Sequence, residues 1–267
     1  MPNYFWQAVC VLSCFAGLQK GIAQDSIVDQ DVRVNEQFWI DYNHPSQWSE
    51  TQSVRTQIAF RTIVPNVFNR FQAISTITFN NTKRSERKWG TIASYQLGGG
   101  AIYTQNTEAR DNFELRLIQG FKFNIPTIKL VTLNNYIRLE ERFQKSFDDN
   151  GWRSGFRMRY RLSTNISWGK HYLSFTEGLY FPLQAEIFVN LKKADRFNDL
   201  IRLSPGIGYK FKNNWRYELF VIFNRTRNIT ETNNKSSDFI LRLRVYNGGK
   251  KKEGLNDQID FQLEDGN

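Results

Sequence analysis

Arginine alternates with apolar residues in the segment Trp152–Leu162, and this spacing places charge on one side of the chain. Arg157, Arg159 and Arg161 are separated by Met158 and Tyr160. Successive side chains of a β-strand point to opposite faces, so the three arginines share one face and the apolar residues share the other. A face of this kind can pair with carboxylates or attract anions.

Other segments of the chain carry charged residues in the same alternating pattern. An Arg or Lys that faces lipid near the middle of a bilayer costs about 2–4 kcal/mol, so a membrane barrel must enclose such residues. We therefore predict a charge network in the lumen of a barrel, formed by Arg138, Glu140, Arg142, Arg157, Arg159, Arg161, Glu177, Arg202, Arg216, Glu218, Arg242 and Arg244.

Two roles for this network stay open at the level of sequence. Arginine and glutamate can pair across strands and fill a narrow lumen, which would make the network structural. Arginine outnumbers glutamate on this face, however, and uncompensated positive charge would favour an anion-attracting pore. A barrel of ten to twelve strands lies between the filled eight-stranded barrels and the open large porins, so size does not separate the two roles.

Residues suited to catalysis are few. The histidines are His44 and His171. The His44-Pro45-Ser46 spacing is found in outer-membrane phospholipase, which makes a lipase-type enzyme one alternative, but Pro45 and its polar neighbours predict a loop here. His171 is interpreted as a solvated or interfacial side chain. We therefore predict no catalytic residues and no enzymatic activity.

Metal and cofactor sites are not expected either. Both cysteines, Cys10 and Cys14, lie in the apolar N-terminal segment, and two histidines do not make a metal cluster. The Gly98-Gly99-Gly100 run lacks the Gly-Lys-Ser/Thr ending of a phosphate-binding loop and predicts a close backbone approach within a strand. Gly206 and Gly208 alternate on the charged face, where small residues make room for neighbouring arginines.

The elements that must position these residues are strands throughout. Period-two alternation predicts eleven strands and one weaker candidate, Ile259–Leu263. The eleven are Gln37–Tyr42, Val54–Arg61, Phe71–Phe79, Thr91–Tyr103, Phe113–Leu117, Leu133–Leu139, Trp152–Leu162, Tyr172–Phe181, Leu203–Phe211, Trp215–Phe223 and Phe239–Val245. We expect an all-β fold, an antiparallel transmembrane β-barrel of ten to twelve strands.

Three features favour a membrane barrel over a soluble β-sandwich or barrel. The strands are long, about ten residues or more. Aromatic residues lie at predicted strand ends, as expected for interfacial girdles: Trp89, Tyr103, Trp152, Trp168, Tyr172, Trp215 and Tyr246. Short connections (Phe123–Ile128, Ser167–Lys170, Lys212–Asn214) also alternate with long ones (Phe143–Gly151, Leu183–Asn198, Thr226–Lys235).

The N-terminal residues resemble an export signal. Phe5–Leu18 is mostly apolar, and Gly21-Ile22-Ala23 offers the small residues that a signal peptidase reads. We expect a signal peptide at residues 1–23, a barrel at 24–247, and a polar tail or weak last strand at 248–267. An uncleaved anchor or lipidation at Cys14 are alternatives. The net charge of +10 could suggest nucleic acid, but export and the interleaved apolar residues argue against that partner.

Several segments together resemble the domain-of-unknown-function family 2490, a family of outer-membrane β-barrels. The resemblance covers nearly the whole chain after the signal and is carried by patterned strands. These are "QFWIDYNH" (Gln37–His44), "QIAFRTI" (Gln57–Ile63), "ELRLIQGF" (Glu114–Phe121), "NNYIRLEERF" (Asn134–Phe143), "RMRYRL" (Arg157–Leu162), "LSFTEGLYF" (Leu173–Phe181) and "RLSPGIGYKFKNNWRYELFVIF" (Arg202–Phe223). The resemblance implies export and outer-membrane insertion, and it implies no substrate.

The sequence thus favours a monomeric outer-membrane barrel with an Arg/Glu-lined lumen, either structural or a pore for small solutes, including anions. Its expected partners are outer-membrane lipid and the outer-membrane assembly machinery. The alternative is a soluble exported β-barrel that binds a lipid-type ligand.

Overall fold

The structure is a computed structural model, and it describes residues 34–64, 68–81, 92–107, 110–125, 133–147, 151–167, 178–191, 199–227 and 235–247. This part of the chain forms strands only. They are β1 (Val34–Gln47), β2 (Gln52–Val64), β3 (Phe68–Asn80), β4 (Ile92–Asn106), β5 (Asn112–Ile125), β6 (Leu133–Ser146), β7 (Arg153–Ser167), β8 (Gly178–Asn190), β9 (Asp199–Lys210), β10 (Arg216–Arg227) and β11 (Lys235–Tyr246).

The eleven strands close into one barrel in which each strand pairs with its neighbours in sequence. The all-β barrel of ten to twelve strands is confirmed, and each of the eleven predicted strands overlaps an observed one. Neighbours in sequence pair antiparallel, whereas the closing pair β1–β11 is parallel, with Trp39 opposite Arg242 and Asp41 opposite Arg244. This pairing follows from the odd number of strands, because the first and last strands then run in the same direction.

We call the end of the barrel at which β1 begins the near end, and the end at which it finishes the far end. After β5, β7 and β9 the connections at the far end span residues 126–132, 168–177 and 211–215. After β6, β8 and β10 those at the near end span residues 147–152, 191–198 and 228–234. Of these connections only 211–215 lies wholly within the described residues. The contrast between short and long connections therefore stays a prediction. The predicted connection Leu183–Asn198 is strand over its first half, because β8 continues to Asn190.

The strands have two chemically opposite faces. On β10, Tyr217, Leu219 and Phe223 are exposed on the outside, while Arg216 and Glu218 are buried inside the closed sheet. The same arrangement recurs around the barrel. Large apolar side chains exposed on the outside include Ile58, Leu97, Leu115, Leu117, Met158, Ile187, Leu203, Ile207 and Leu241. Inside, a small apolar cluster of Trp39, Phe220, Ile222 and Ile240 lies among the polar residues.

Some expectations fall on residues that the structure does not describe. They are the signal at residues 1–23, the tail or weak strand at 248–267, and the aromatic residues Trp89, Trp168 and Tyr172. No helix in the described ranges is long and apolar enough to cross a membrane. In those same ranges, no group of three His, Cys, Asp or Glu side chains could hold a metal ion.

Candidate functional site

The interior of the barrel has one neutral wall and one charged wall. On β3 and β4 the inward positions other than Arg70 hold small or uncharged residues, such as Thr76 and Thr78 opposite Gly98 and Gln96. The inward positions from β5 round to β11 and β1 hold most of the charged residues. Gly98 leaves space for Thr76, because a Cβ atom added to Gly98 would lie 2.7 Å from the Thr76 side chain.

Glu114 reduces the electrostatic repulsion between two arginines, one on β5 and one on β6. Arg116 and Arg142 lie directly opposite each other in the register, and like charges in that position repel. Arg116 donates from Nε and Nη2 to Oε1 of Glu114, at 2.8 and 2.6 Å. Arg142 donates to the same oxygen from Nε at 2.8 Å, and Gln144 Nε2 donates to Oε2 at 2.8 Å. One carboxylate thus holds both guanidinium groups.

Glu140 forms the centre of a second network on the same wall. Its side chain is fully buried and forms ion pairs with Arg138 and Arg157. Arg157 also donates from Nε to Oε2 at 2.9 Å, and Nη1 of Arg116 lies 3.7 Å from the same oxygen. Buried charges are tolerated only when they are paired in this way, so Glu140 and its three arginines depend on one another.

Glu186 on β8 forms the third network. It is paired with Arg159 of β7 and lies 3.2 Å from Nη1 of Arg202 on β9 and 4.0 Å from Nη1 of Arg161. Arg202 also donates from Nε to Oδ1 of Asn224 at 2.9 Å. The network therefore links the inner faces of β7, β8, β9 and β10.

The fourth network spans the seam where the barrel closes. Asp41 on β1 pairs with Arg242 of β11 and lies 3.9 Å from Nε of Arg244. Arg244 donates from Nη1 to Oε2 of Glu218 at 3.3 Å, and Nε of Arg216 lies 3.5 Å from Oε1 of Glu218. These contacts join the parallel pair β1–β11 to β10 through side chains.

Aromatic rings inside the barrel lie directly opposite arginines in the register. Arg61 lies 4.1 Å from the centroid of the Trp39 ring, and Arg216 lies 3.7 Å from that of Tyr246. The opposing pairs Tyr136–Arg161 and Phe188–Arg159 are 5.2 and 5.1 Å apart. A cation over an aromatic face contributes about 0.5–2 kcal/mol, more when both groups are desolvated. The rings therefore stabilise buried arginine side chains, as the carboxylates do.

Side chains also meet across the lumen. The Arg202 guanidinium on β9 lies 4.9 Å from the Phe188 ring on β8 and 5.0 Å from the Trp39 ring on β1. Strands β10 and β11 separate β9 from β1 in the barrel. The Arg202 side chain thus extends over two intervening strands, and its guanidinium contacts rings of β8 and β1 at once.

Positive charge exceeds negative charge among the described interior residues. Five carboxylates are buried there, Asp41, Glu114, Glu140, Glu186 and Glu218. Nine arginines and two lysines are buried with them: Arg55, Arg116, Arg138, Arg142, Arg159, Arg161, Arg216, Arg242, Arg244, Lys122 and Lys210. Arginine stays protonated in proteins, so the arginines alone give an excess of positive charge.

Two glycines on the inner face make room for aromatic rings. A Cβ atom added to Gly208 would lie 2.4 Å from the Tyr180 ring, and one added to Gly206 would lie 2.6 Å from the Phe220 ring. The Tyr180 ring thereby reaches Glu218 and donates its hydroxyl hydrogen to Oε1 at 2.5 Å. The expectation that Gly206 and Gly208 make room for arginines is corrected, because the space that they leave is taken by rings.

The structure describes eleven of the twelve residues predicted to form the charge network. All eleven lie on the inner face: Arg138, Glu140, Arg142, Arg159, Arg161, Arg216, Glu218, Arg242 and Arg244 are buried, and Arg157 and Arg202 are partly buried. Ten of them belong to the networks of Glu140, Glu186 and the seam. Arg142 belongs to the Glu114 network. Glu177 lies outside the described residues.

Two other expectations need correction. His44 and Ser46 lie on β1, paired with Thr56 and Val54 of β2, and not in a loop, since β1 continues through Pro45 to Gln47. Tyr246 does not belong to an outer girdle, because its side chain is buried against Arg216.

The predicted network lacks several charged residues of the lumen, above all Asp41 and Glu186. Asp41 lies between the apolar residues Ile40 and Tyr42 and shares a strand face with Trp39. The alternation therefore predicts an inward position for Asp41. The predicted connection Leu183–Asn198 includes Glu186, which is wrong, because Glu186 lies on β8, where Leu183, Ala185 and Ile187 alternate with Gln184 and Glu186. The inward positions of Arg55, Arg61 and Arg70 follow from the alternation of β2 and β3 in the same way.

Comparison with known proteins gives one match. Neither a curated protein nor a solved structure matches the chain significantly. The model of the family described as a protein of unknown function, DUF2490, matches residues 36–235. This match covers β1 to the start of β11 and includes all four carboxylate networks except the arginines of β11. The chain therefore belongs to the DUF2490 family.

Proposed function

We propose that the protein is an outer-membrane β-barrel whose lumen is closed by its own side chains, so that its basic role is structural and non-catalytic. The observation that carries this proposal is the sidedness of the sheet. Leu219 is 42% exposed on the outside, whereas its neighbours Glu218 and Phe220 are 3% and 1% exposed inside. An apolar exterior around a charged interior is stable when lipid surrounds the barrel.

Aromatic residues near both ends of the outer face support the membrane proposal. At the near end, Tyr103 packs against Phe147, with ring centroids 6.4 Å apart, and Phe113 packs against Trp152, with ring centroids 6.3 Å apart. At the far end, Tyr209, Phe211, Trp215 and Tyr217 form a continuous set of ring contacts. Aromatic rings favour the two interfaces of a bilayer, so two such bands fit a barrel that spans it.

The same proposal includes export by a signal at residues 1–23, insertion by the outer-membrane assembly machinery, and contact with outer-membrane lipid as a monomer. It includes no nucleic-acid partner and no cofactor. The closed lumen is supported by Arg202, which contacts rings on β8 and β1 at once.

A second candidate function is an anion-selective pore, and the excess of buried arginine over carboxylate favours it. In that case the closed arrangement of side chains would be one state of a lumen that opens to small anions. Uncompensated positive charge along a channel attracts anions and excludes cations.

Two measurements test the proposal. The purified full chain should require detergent for solubility and should migrate differently on a gel before and after boiling. A protein that is soluble without detergent and shows no shift would instead support a soluble barrel that binds a lipid-type ligand. In planar bilayers the inserted protein should give no steady conductance. A steady anion-selective current, reduced or reversed when Arg157 and Arg159 are replaced by Glu, would establish the pore.

A further inference from the structure

We propose that the far end of the lumen binds a phosphate-class oxyanion in a site formed by Arg55, Lys210, Arg216 and Arg244, which we call the far-end basic cluster. The inference goes beyond the proposed function. It concerns the interior of the barrel and does not depend on which solvent surrounds the exterior.

The cluster brings cations together from several strands. Lys210 and Arg216 lie directly opposite each other in the register of β9 and β10, and both are buried. Arg55 on β2 is buried as well, and the charges of Arg138 and Arg244 act on it. Like charges directly opposite each other destabilise a sheet, so an arrangement of this kind is suited to an anion placed between them.

Carboxylates lie farther from Arg244 than from the arginines of the Glu114 network. Glu218 lies 3.3 Å from Nη1 of Arg244, and Asp41 lies 3.9 Å from Nε. By contrast, Arg116 and Arg142 donate to Glu114 at 2.6–2.8 Å. Charge-assisted hydrogen bonds have lengths of about 2.7–2.9 Å, so the contacts of Arg244 with Glu218 and Asp41 are long, and an oxyanion could approach its guanidinium more closely.

Arg244 supplies a donor for the ligand. Its side chain is 2% exposed, and Nη1 donates to Glu218 and to the Tyr246 hydroxyl at 3.3 and 3.1 Å. Within the described part of the chain, Nη2 and Nε of Arg244 are buried and make no hydrogen bond. A buried donor without an acceptor is unfavourable. A phosphate oxygen would accept from it, and the planar guanidinium suits bidentate binding of phosphate.

The cluster lies at the far end of the barrel. Lys210 is the last residue of β9, and Arg216 is the first residue of β10. Tyr246, against which Arg216 packs, is the last residue of β11. The excess of arginine over carboxylate in the lumen persists when the predicted lumen residue Glu177 is counted, so an anion of more than one charge suits the site.

The chemistry of the ligand is that of a phosphate monoester or free phosphate, and the experiment separates the two sources. The full-length folded protein in detergent is titrated calorimetrically with inorganic phosphate and with short-chain phosphatidic acid, at constant ionic strength set by chloride. We expect saturable binding of at least one of them. Binding of phosphate that the lipid does not compete for identifies free phosphate, and tighter binding of the lipid identifies a headgroup. Either supports the site.

The matched variants are Arg216→Gln and Arg244→Gln, with Arg225→Gln as the control, because Arg225 is exposed on β10. We expect the affinity to fall about tenfold for each site variant, as for a lost charge-assisted hydrogen bond, and to change less than about twofold for the control. Arg55→Gln serves as a second test, since it breaks none of the ion pairs described for Asp41 or Glu218.

Folding of each variant is verified by the shift in gel mobility on boiling. Absence of saturable binding by the folded wild-type protein would overturn the inference. So would equal affinities of Arg55→Gln and the Arg225→Gln control.

Discussion

The Arg202 guanidinium on β9 lies 5.0 Å from the centroid of the Trp39 ring on β1, across two intervening strands. Arg61 and Arg242 approach the same ring at 4.1 and 5.7 Å. Arginines from three strands, β2, β9 and β11, therefore converge on the Trp39 ring, and in the proposed function this ring closes the lumen at this level.

Replacement of Trp39 by alanine is expected to open the lumen. The variant loses the ring between three arginines, whose charges then face the vacated space, so a small anion-selective conductance should appear in planar bilayers where the wild type gives none. Truncation of a buried Trp costs about 3–5 kcal/mol, so the unfolding midpoint should also fall. Trp152→Ala is the control, because Trp152 is 50% exposed on the outside. A variant that stays silent like this control would show that other side chains close the lumen.

Glu140 and Glu141 are neighbours in sequence on opposite faces of β6. Glu140 is fully buried with Arg116, Arg138 and Arg157, whereas Glu141 lies opposite Leu117 and Phe156 on the outer face. Removing one partner of a buried ion pair costs about 3–5 kcal/mol. Glu140→Gln should therefore lower the free energy of unfolding in urea by an amount of this order.

Glu141→Gln is the matched control for this prediction. Removal of a charge from the outer face should leave the free energy of unfolding unchanged within about 0.5 kcal/mol, or raise it. If the two variants destabilised the barrel equally, the two residues could not lie on opposite faces with different surroundings.

Gly208 and Gly99 distinguish inward from outward glycines. A Cβ atom at Gly208 would lie 2.4–2.8 Å from the Tyr180 ring and hydroxyl, whereas one at Gly99 would have its nearest contact at 3.5 Å. Gly208→Ala must displace Tyr180 from Glu218 and should cost about 1–3 kcal/mol. Gly99→Ala should be neutral or slightly stabilising, since it restricts the unfolded chain. Thermal unfolding of both variants measures the difference, and a neutral Gly208→Ala would contradict the packing of Tyr180.

The alternation of residues along the strands predicts most of the fold, and the reason is physical. Each strand has one face in an apolar environment and one in a polar environment, so alternation is strict where Arg157, Arg159 and Arg161 alternate with Met158 and Tyr160. The pattern weakened where the lumen itself is apolar. Phe188 faces inward and contacts Arg159 and Arg202. This apolar inward residue interrupts the alternation, so the pattern does not predict the second half of β8, which contains Glu186.

Partner choice within the site was not predictable from the sequence. Alternation places Arg116 and Arg142 on the inner face, but only the register puts them directly opposite each other with Glu114 between them. The contact between Arg202 and Trp39 depends on closure of the barrel between β1 and β11, which brings together residues more than 160 positions apart. The parallel seam likewise follows from the strand count, which the alternation left at ten to twelve.

Spin labels at positions 219 and 220 test the central proposal, that lipid surrounds the outer face and the charged face is enclosed. In a chain with Cys10 and Cys14 replaced by serine, Leu219→Cys and Phe220→Cys are labelled separately and reconstituted in bilayers. Accessibility to oxygen, which concentrates in lipid, and to a water-soluble nickel chelate is measured for each. The label at position 219 should collide frequently with oxygen and rarely with nickel, and the label at position 220 should be protected from oxygen. Frequent collisions with nickel at position 219 would contradict the proposal.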